Sequence, residues 1–451
     1  MKSMKSLQFY LYTSFVALYV VNLFFENHTI MLIQGWIGVA ALLVSIFGSN
    51  RIYQVIGLAF LGISTIMIFL YDIPFSEIPI YFTSMGLLIA LLYIIPFINH
   101  YMIVGGYDQS LFKLLQTNTP NLGKFYIKSY LTSYVLTIFI FISTIPLVYQ
   151  LIKSKTANFS DHITLQFATR GILRPFAAAN TWSPIEVYIA LVVAYTGSSY
   201  LVLMPILLGF SLTMLLIDTT LGYFKFKSYK LEEANPDSTN DRSTRHFLSL
   251  AAFLALFIAV AASIHLITGL EFFDSIILII IPYTMLWALI TKKFRTFIRY
   301  NQKVWGEHIF TMQNFMMLLL PVGVFNEVVS DTPIFIQAME SFAWLENTPL
   351  LLFIFIQLSS MFLAFVGFHP LVTLSLQGLF VTPFLDTISP VSISIVMIIS
   401  VIANDMTGTF NIPITMLNQY FKRNPYQLTL WNIGYALTFG GVGVLIAWVL
   451  A

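Results

Sequence analysis

The chain contains no cysteine among its 451 residues. That absence excludes disulfides, thiolate zinc sites, iron–sulfur clusters and cysteine nucleophiles. Charge is nearly as scarce: 9% of residues are Asp, Glu, Lys or Arg, where a soluble domain carries about 25%. A formal net charge of +2 and the lack of any long basic run give nucleic acid nothing to bind. The seven histidines are scattered without an H-E-x-x-H pair, and neither a P-loop nor a Rossmann fingerprint occurs. No cofactor is therefore expected, and transport driven directly by ATP would need a separate subunit.

What is present is apolar. Hydrophobic residues make up 58% of the chain, and the mean hydropathy is +0.83. Several runs exceed the roughly 18–20 residues that cross a bilayer. The expectation is an all-α polytopic membrane protein, multi-pass in the cell membrane and surrounded by lipid. Lys2 and Lys5 precede an apolar run reaching Phe25 with no small-residue cleavage site after it, which reads as an uncleaved first span.

Spans fall at about 7–25, 29–48, 52–71, 80–98, 129–152, 184–222, 247–268, 273–291, 309–329, 349–367, 391–417 and 429–450. The stretch 184–222 is too long for one straight helix and contains Gly197 and Pro205, which predicts a break. Two shorter stretches, 163–182 with Pro175 and 369–388 with Pro383, read as re-entrant segments. With the N-terminus cytoplasmic, 16 of the 22 Lys and Arg residues fall inside. The six exceptions are Lys153, Lys155, Arg170, Arg174, Lys422 and Arg423.

The polar stretch 224–246 reads as a cytoplasmic linker between a first repeat, 1–223, and a second, 247–451. The halves echo each other. Arg174-Pro175-Phe176, Ser183-Pro184, Thr196-Gly197 and Pro205 recur in order as Thr382-Pro383-Phe384, Ser389-Pro390, Thr407-Gly408 and Pro413. An odd number of crossings separates the two re-entrant segments, so the repeats are expected to be inverted. Each would have about five spans, a re-entrant hairpin and an interrupted helix.

The most polar interruption at membrane depth is Ala403 to Pro413, which holds Asn404, Asp405, Thr407, Gly408, Thr409 and Asn411. Such groups are tolerated in a bilayer only where they face protein or a water-filled cavity. Unwound carbonyls there can coordinate a cation, and Asp405 can hold Na⁺ or carry a proton. The candidate cation-coupling residues are Thr196, Gly197, Asn404, Asp405 and Gly408. The candidate substrate-binding residues are Ser198, Ser199, Thr407 and Thr409 at the breaks, with Asn180, Thr181, Ser183, Thr387 and Ser389 at the re-entrant tips.

Plainer readings stand beside these. Ser and Thr can patch a kinked helix, Ser183-Pro184 and Ser389-Pro390 are ordinary helix starts, and Asp405 can sit in a structural ion pair. Arg170 and Arg174 either meet an anion in an outer vestibule or anchor lipid phosphate. Asp218, near the inner end of its span, is expected to be solvated.

The pattern resembles the ion-transporter superfamily, which includes divalent-anion/sodium symporters, arsenite permeases and citrate-type carriers. The residues that carry the resemblance are Asn180-Thr181 and Thr387-Ile388-Ser389 at the tips. At the breaks they are Thr196-Gly197-Ser198-Ser199 and Asn404 through Thr409. The resemblance implies two inverted repeats, each with a re-entrant hairpin followed by an unwound helix, substrate and sodium sites at those tips and breaks, and a homodimer. Asp386 and Asp405 add carboxylates foreign to that pattern, which counts against a dicarboxylate substrate and favours cation coupling or a different solute. The expected function is secondary active transport of a small anionic solute, coupled to Na⁺ or H⁺ by alternating access, with no enzymatic activity. The alternative is an intramembrane enzyme or flippase acting on a lipid-linked substrate, with Asp405, His369 or Asp386 as general base.

Overall fold

In hydrocarbon every backbone N–H and C=O must be bonded within the protein, so apolar runs of this length fold as helices. A computed structural model describes residues 2–107, 119–231, 241–330 and 332–451. Every regular element in it is helical, apart from one isolated bridge between Asn121 and Lys230. Among the described residues ten helices are long and apolar enough to cross a membrane, or eleven if the bent pair Phe294–Thr311 and Gln313–Ser330 forms one span. The all-α, multi-pass architecture expected from composition is the one found. Of the expected linker, 232–240 lies outside the described residues.

Two compact units draw on both halves of the sequence. The first comprises 1–100, 259–345 and 375–383; the second comprises 101–258, 346–374 and 384–451. In the first unit, helix Gln313–Ser330 packs along Arg51–Leu70. There Gly57 lies against the Met317 carbonyl with no room for a Cβ, a close approach that only glycine allows.

The second unit holds the polar interruptions, and its chain path differs from the expected one. Helix Leu122–Ile140, a 3-10 turn over Phe141–Ser143 and helix Thr144–Lys155 together form one apolar stretch of 34 residues. A straight helix of that length would be about 51 Å long, yet its two ends lie side by side. The Leu122 N–H donates to the Tyr229 carbonyl at 2.9 Å, while the Phe159 ring sits 5.8 Å from that of Tyr229. Helix Asp161–Asn180 touches both ends as well. Phe167 packs on Phe125 at 5.5 Å, and Thr164 Oγ1 donates to the Thr156 carbonyl at 3.3 Å. The chain therefore reverses at Phe141, whose φ of +46° is rare for a non-glycine residue. The expected crossing at 129–152 is a helical hairpin.

A second hairpin turns at Gly367, with φ +102°; its first arm, Pro349–Val366, belongs to the second unit, while residues 375–383 belong to the first. Gln357 donates to the Leu437 carbonyl and Asn404 to that of Ser360, while Gly443 faces Ile399. Helices Pro349–Val366 and Pro390–Ala403 thus both start at the Leu450 end of helix Pro425–Leu450. The first hairpin opens at the other end, because Tyr435 bonds the Met214 carbonyl and Phe439 packs on Phe210. These contacts set Phe226 beside the start of helix Pro425–Leu450. Within the second unit the first hairpin therefore opens at one end, and helix Pro349–Val366 starts at the other.

After each hairpin comes the same series. Helix Asp161–Asn180, a non-helical stretch to Glu186 and helix Val187–Thr196 lead into the long helix Tyr200–Phe226. Helix Pro390–Ala403, a stretch from Asn404 to Asn411 and helix Ile412–Phe421 lead into Pro425–Leu450. The short helices end alike, at Gly197 (φ +66°) and Lys422 (φ +51°), both left-handed. In this register Thr196-Gly197-Ser198-Ser199 is a turn between helices. Pro205 lies inside Tyr200–Phe226 without ending it. The counterpart of the Asn404–Asn411 break is 181–186.

Candidate functional site

The two breaks are brought together in the second unit. Asn180, the last residue of its helix, donates its amide to Asp405 Oδ2 at 3.4 Å, and both residues are buried. Glu186 closes the first break, where its carboxylate accepts from the Tyr188 N–H at 3.3 Å and caps the next helix. Glu186 is buried too, and it lies within electrostatic range of Asp405. No basic group among the described residues acts on either carboxyl. Sequence reasoning did not single out Glu186, which ends the stretch Ser183-Pro184-Ile185-Glu186, of the Ser-x-x-Glu form of a capping box. The signal that could have found it is the one that singled out Asp405, an acid in a polar stretch at membrane depth.

Neighbouring helices hold both breaks open. At the first, the Trp182 indole donates to Tyr134 Oη at 2.6 Å, and Tyr200 donates to the Trp182 carbonyl at 2.7 Å. The Thr181 hydroxyl turns back to the Ala177 carbonyl, and Ser183 is buried beside it. At the second, Asn404 donates to Ser360, and Asn411 donates to the Asn404 carbonyl at 3.0 Å. Gly408 packs so closely on Asn411 and the Asn404 carbonyl that a Cβ would collide. The Thr407 hydroxyl bonds the Ala403 carbonyl, while Thr409 meets the Thr429 hydroxyl at 3.3 Å. Helix Pro425–Leu450 supplies two further donors, Thr429 to the Thr407 carbonyl at 2.9 Å and Asn432 to the Met406 carbonyl at 3.3 Å.

The remaining sequence-derived candidates lie elsewhere. Thr196 and Ser198 share hydrogen bonds with Ser394, at 2.7 and 2.9 Å, in a separate hydroxyl cluster. Gly197 and Ser199 are exposed in the turn beside it. Thr387 is exposed and Ser389 half-buried in the connection leading to Pro390–Ala403. His369 sits at the turn of the second hairpin, where its Nδ1 accepts from the Leu371 N–H, and Asp386 is exposed.

Arg174 and Asp218 differ from expectation. Arg174 Nη1 donates to Asp218 Oδ1 at 2.5 Å, and both side chains are buried. Tyr126 donates to Asp218 Oδ2 at 2.6 Å, and the guanidinium lies 4.3 Å above the Tyr435 ring. Arg174 is thus occupied rather than open to an anion, and Asp218 is paired rather than solvated. A charge buried this deeply persists only when paired and hydrogen-bonded.

Several basic residues of this unit lie near one another where the first hairpin opens. Lys128 lies near Lys124 and Lys155, while Lys225 lies near Arg170 and Arg174. A cavity of about 630 Å³ at the foot of the first hairpin is lined by Lys153 and Arg423 with Asp161 and the paired rings of Tyr149 and Tyr420. Among the described residues no group of three or more His, Cys, Asp or Glu is placed to hold a metal. The two carboxyls, one receiving the Asn180 amide N–H and the other the Tyr188 backbone N–H, offer oxygen atoms suited to a hard cation or a proton.

Fold and polar centre define a multi-pass, all-helical membrane protein organised around two helix breaks. No family model and no curated protein matches the sequence. Among solved structures, the YdaH transporter of Alcanivorax borkumensis, described as having an unusual topology, superposes with a TM-score of 0.56. The match covers 88% of this chain and 96% of that one at 12% identity, and is a likeness of fold.

Proposed function

We propose that this protein is a secondary active transporter that moves a small anionic solute, coupled to Na⁺ or H⁺, by alternating access. The observation that carries this reading is the pair of buried carboxyls, Asp405 and Glu186, one from each break, without a basic partner among the described residues. An isolated carboxylate at membrane depth costs about 2.5–3.5 kcal/mol or more. A structural role would call for a counter-ion such as Asp218 has in Arg174. A bound Na⁺, or a proton, removes the same cost reversibly.

The two series of hairpin, broken helix and long helix, with the first hairpin opening at one end and helix Pro349–Val366 starting at the other, support an inverted repeat around this pair, which is where such carriers hold substrate and ion. By the excess of basic residues on the cytoplasmic side, the end bearing Lys124, Lys153, Lys225 and Arg423 faces the cytoplasm. Its cavity, with two cations to one acid, serves as an inner mouth suited to an anion. The likeness to a solved transporter supports the same reading.

The test is uptake into proteoliposomes, screened over small anions under imposed Na⁺ or pH gradients. Asp405→Asn and Glu186→Gln are expected to fold normally and to lose the dependence of uptake on the driving gradient. Uptake by the unaltered protein that ignores both gradients would overturn the proposal.

A further inference from the structure

Helix Asp161–Asn180 reaches the second break by two routes. One is direct, Asn180 to Asp405. The other begins at Arg174, about 9 Å lower on the same helix at 1.5 Å per residue. Its Nε donates to Asn432 Oδ1 at 2.9 Å, and the Asn432 amide passes on to the Met406 carbonyl at 3.3 Å. Met406 directly follows Asp405. Asn432 is fully buried, and the guanidinium that holds it is fixed by Asp218, Tyr435 and the Trp431 carbonyl. Each link is directional, and the far end is an ion pair that cannot turn without stranding a charge.

We propose that Asn432 is a positioning residue. Anchored by the Arg174–Asp218 pair, it fixes the Met406 peptide and thereby holds the Asp405 carboxyl against Asn180. Asn432 touches neither ion nor solute. Its amide spans from the first broken helix to the backbone of the second break, because it accepts through one atom and donates through the other. The residue acts through Asp405, and the inference rests on Asp405 being the coupling carboxyl.

Dicyclohexylcarbodiimide tests it without knowledge of the solute, since this apolar reagent adds to protonated carboxyls at membrane depth. Modification of Asp405 is followed by mass spectrometry on the full chain at fixed pH. Asn432→Leu is expected to raise the rate at Asp405 about threefold or more, the factor that loss of one modest hydrogen bond gives. Asn432→Gln, which keeps both functions, should recover part of the protection. If Asn432→Leu does not fold, the paired variant Arg174→Met/Asp218→Leu removes the anchor without leaving a lone buried charge. It should then raise the rate in the same sense. An Asp405 rate equal to that of the unaltered protein, alongside a lowered melting temperature, would reduce Asn432 to a structural residue and overturn the proposal. Gradient-dependent uptake persisting in Asp405→Asn would instead remove the coupling role and leave the labelling result standing, so the two readings fail separately.

Discussion

The reversal at Phe141 can be measured as a distance. Because the chain has no cysteine, Lys124→Cys/Lys153→Cys introduces the only two attachment points for nitroxide labels without further engineering. Both side chains are exposed and carry no buried contact, so the fold should survive the change. If 122–155 crossed the bilayer as one helix, its 34 residues would extend about 51 Å, and the labels would stand about 40 Å or more apart. As a hairpin, the two arms pack at an interaxial spacing of about 8–10 Å. The labels then lie at its base, near the cavity that Lys153 lines. Pulsed electron–electron resonance on protein in lipid nanodiscs is expected to give a distribution centred below about 30 Å, label arms included. A distribution centred near 40 Å would refute the hairpin. With it would go the opposed placement of that hairpin's mouth and the start of helix Pro349–Val366, and the nearness of the basic residues where the hairpin opens.

Two further outcomes follow from the packing around Arg174. Asp218→Asn leaves the buried guanidinium without its counter-charge, which should cost about 3–5 kcal/mol and lower the melting temperature of the purified protein sharply; an unchanged melting temperature would show that the pair is not structural. Gly222 faces the Tyr126 ring with no space for a Cβ. Gly222→Val should therefore push that ring off Asp218 and destabilise by about 1–3 kcal/mol in the same assay, whereas a neutral result would mean that the helices separate freely there.

The broad architecture was legible because hydropathy and length are properties of local sequence. Runs such as 272–290 and 425–450 are apolar over a bilayer's depth, and nothing elsewhere in the chain changes that. The polar break at Asn404–Asn411 was legible for the same reason, since amides and a carboxylate interrupt a run that otherwise continues. Residues 129–152 show the limit. They are apolar whether they cross or turn back, so hydropathy cannot tell a span from a hairpin. The turn is made by Phe141 in a backbone conformation that its side chain does not advertise. Counting that stretch as one crossing separates Lys153 from Lys124 and Arg170 from Lys225, which the hairpin brings to one end.

The candidate site divides the same way. Asp405 and Asn180 were each visible as polar residues out of place. Thr196-Gly197 was matched to Thr407-Gly408 because the dipeptides are alike, although one is a helix cap and the other lies in a break. Glu186 was not among the sequence-derived candidates, and in the structure it caps the helix that follows the first break. Arg174 and Asp218 passed as separate surface charges, although they pair across 44 residues. What the sequence determined alone was that this chain is helical, lies in a bilayer and breaks its helices where polar groups would otherwise meet hydrocarbon. Which end the first hairpin opens at, and that Asn180 meets Asp405 across 225 residues, only the tertiary structure decided. Burial is set by the composition of a segment, but partnership depends on where the chain turns back.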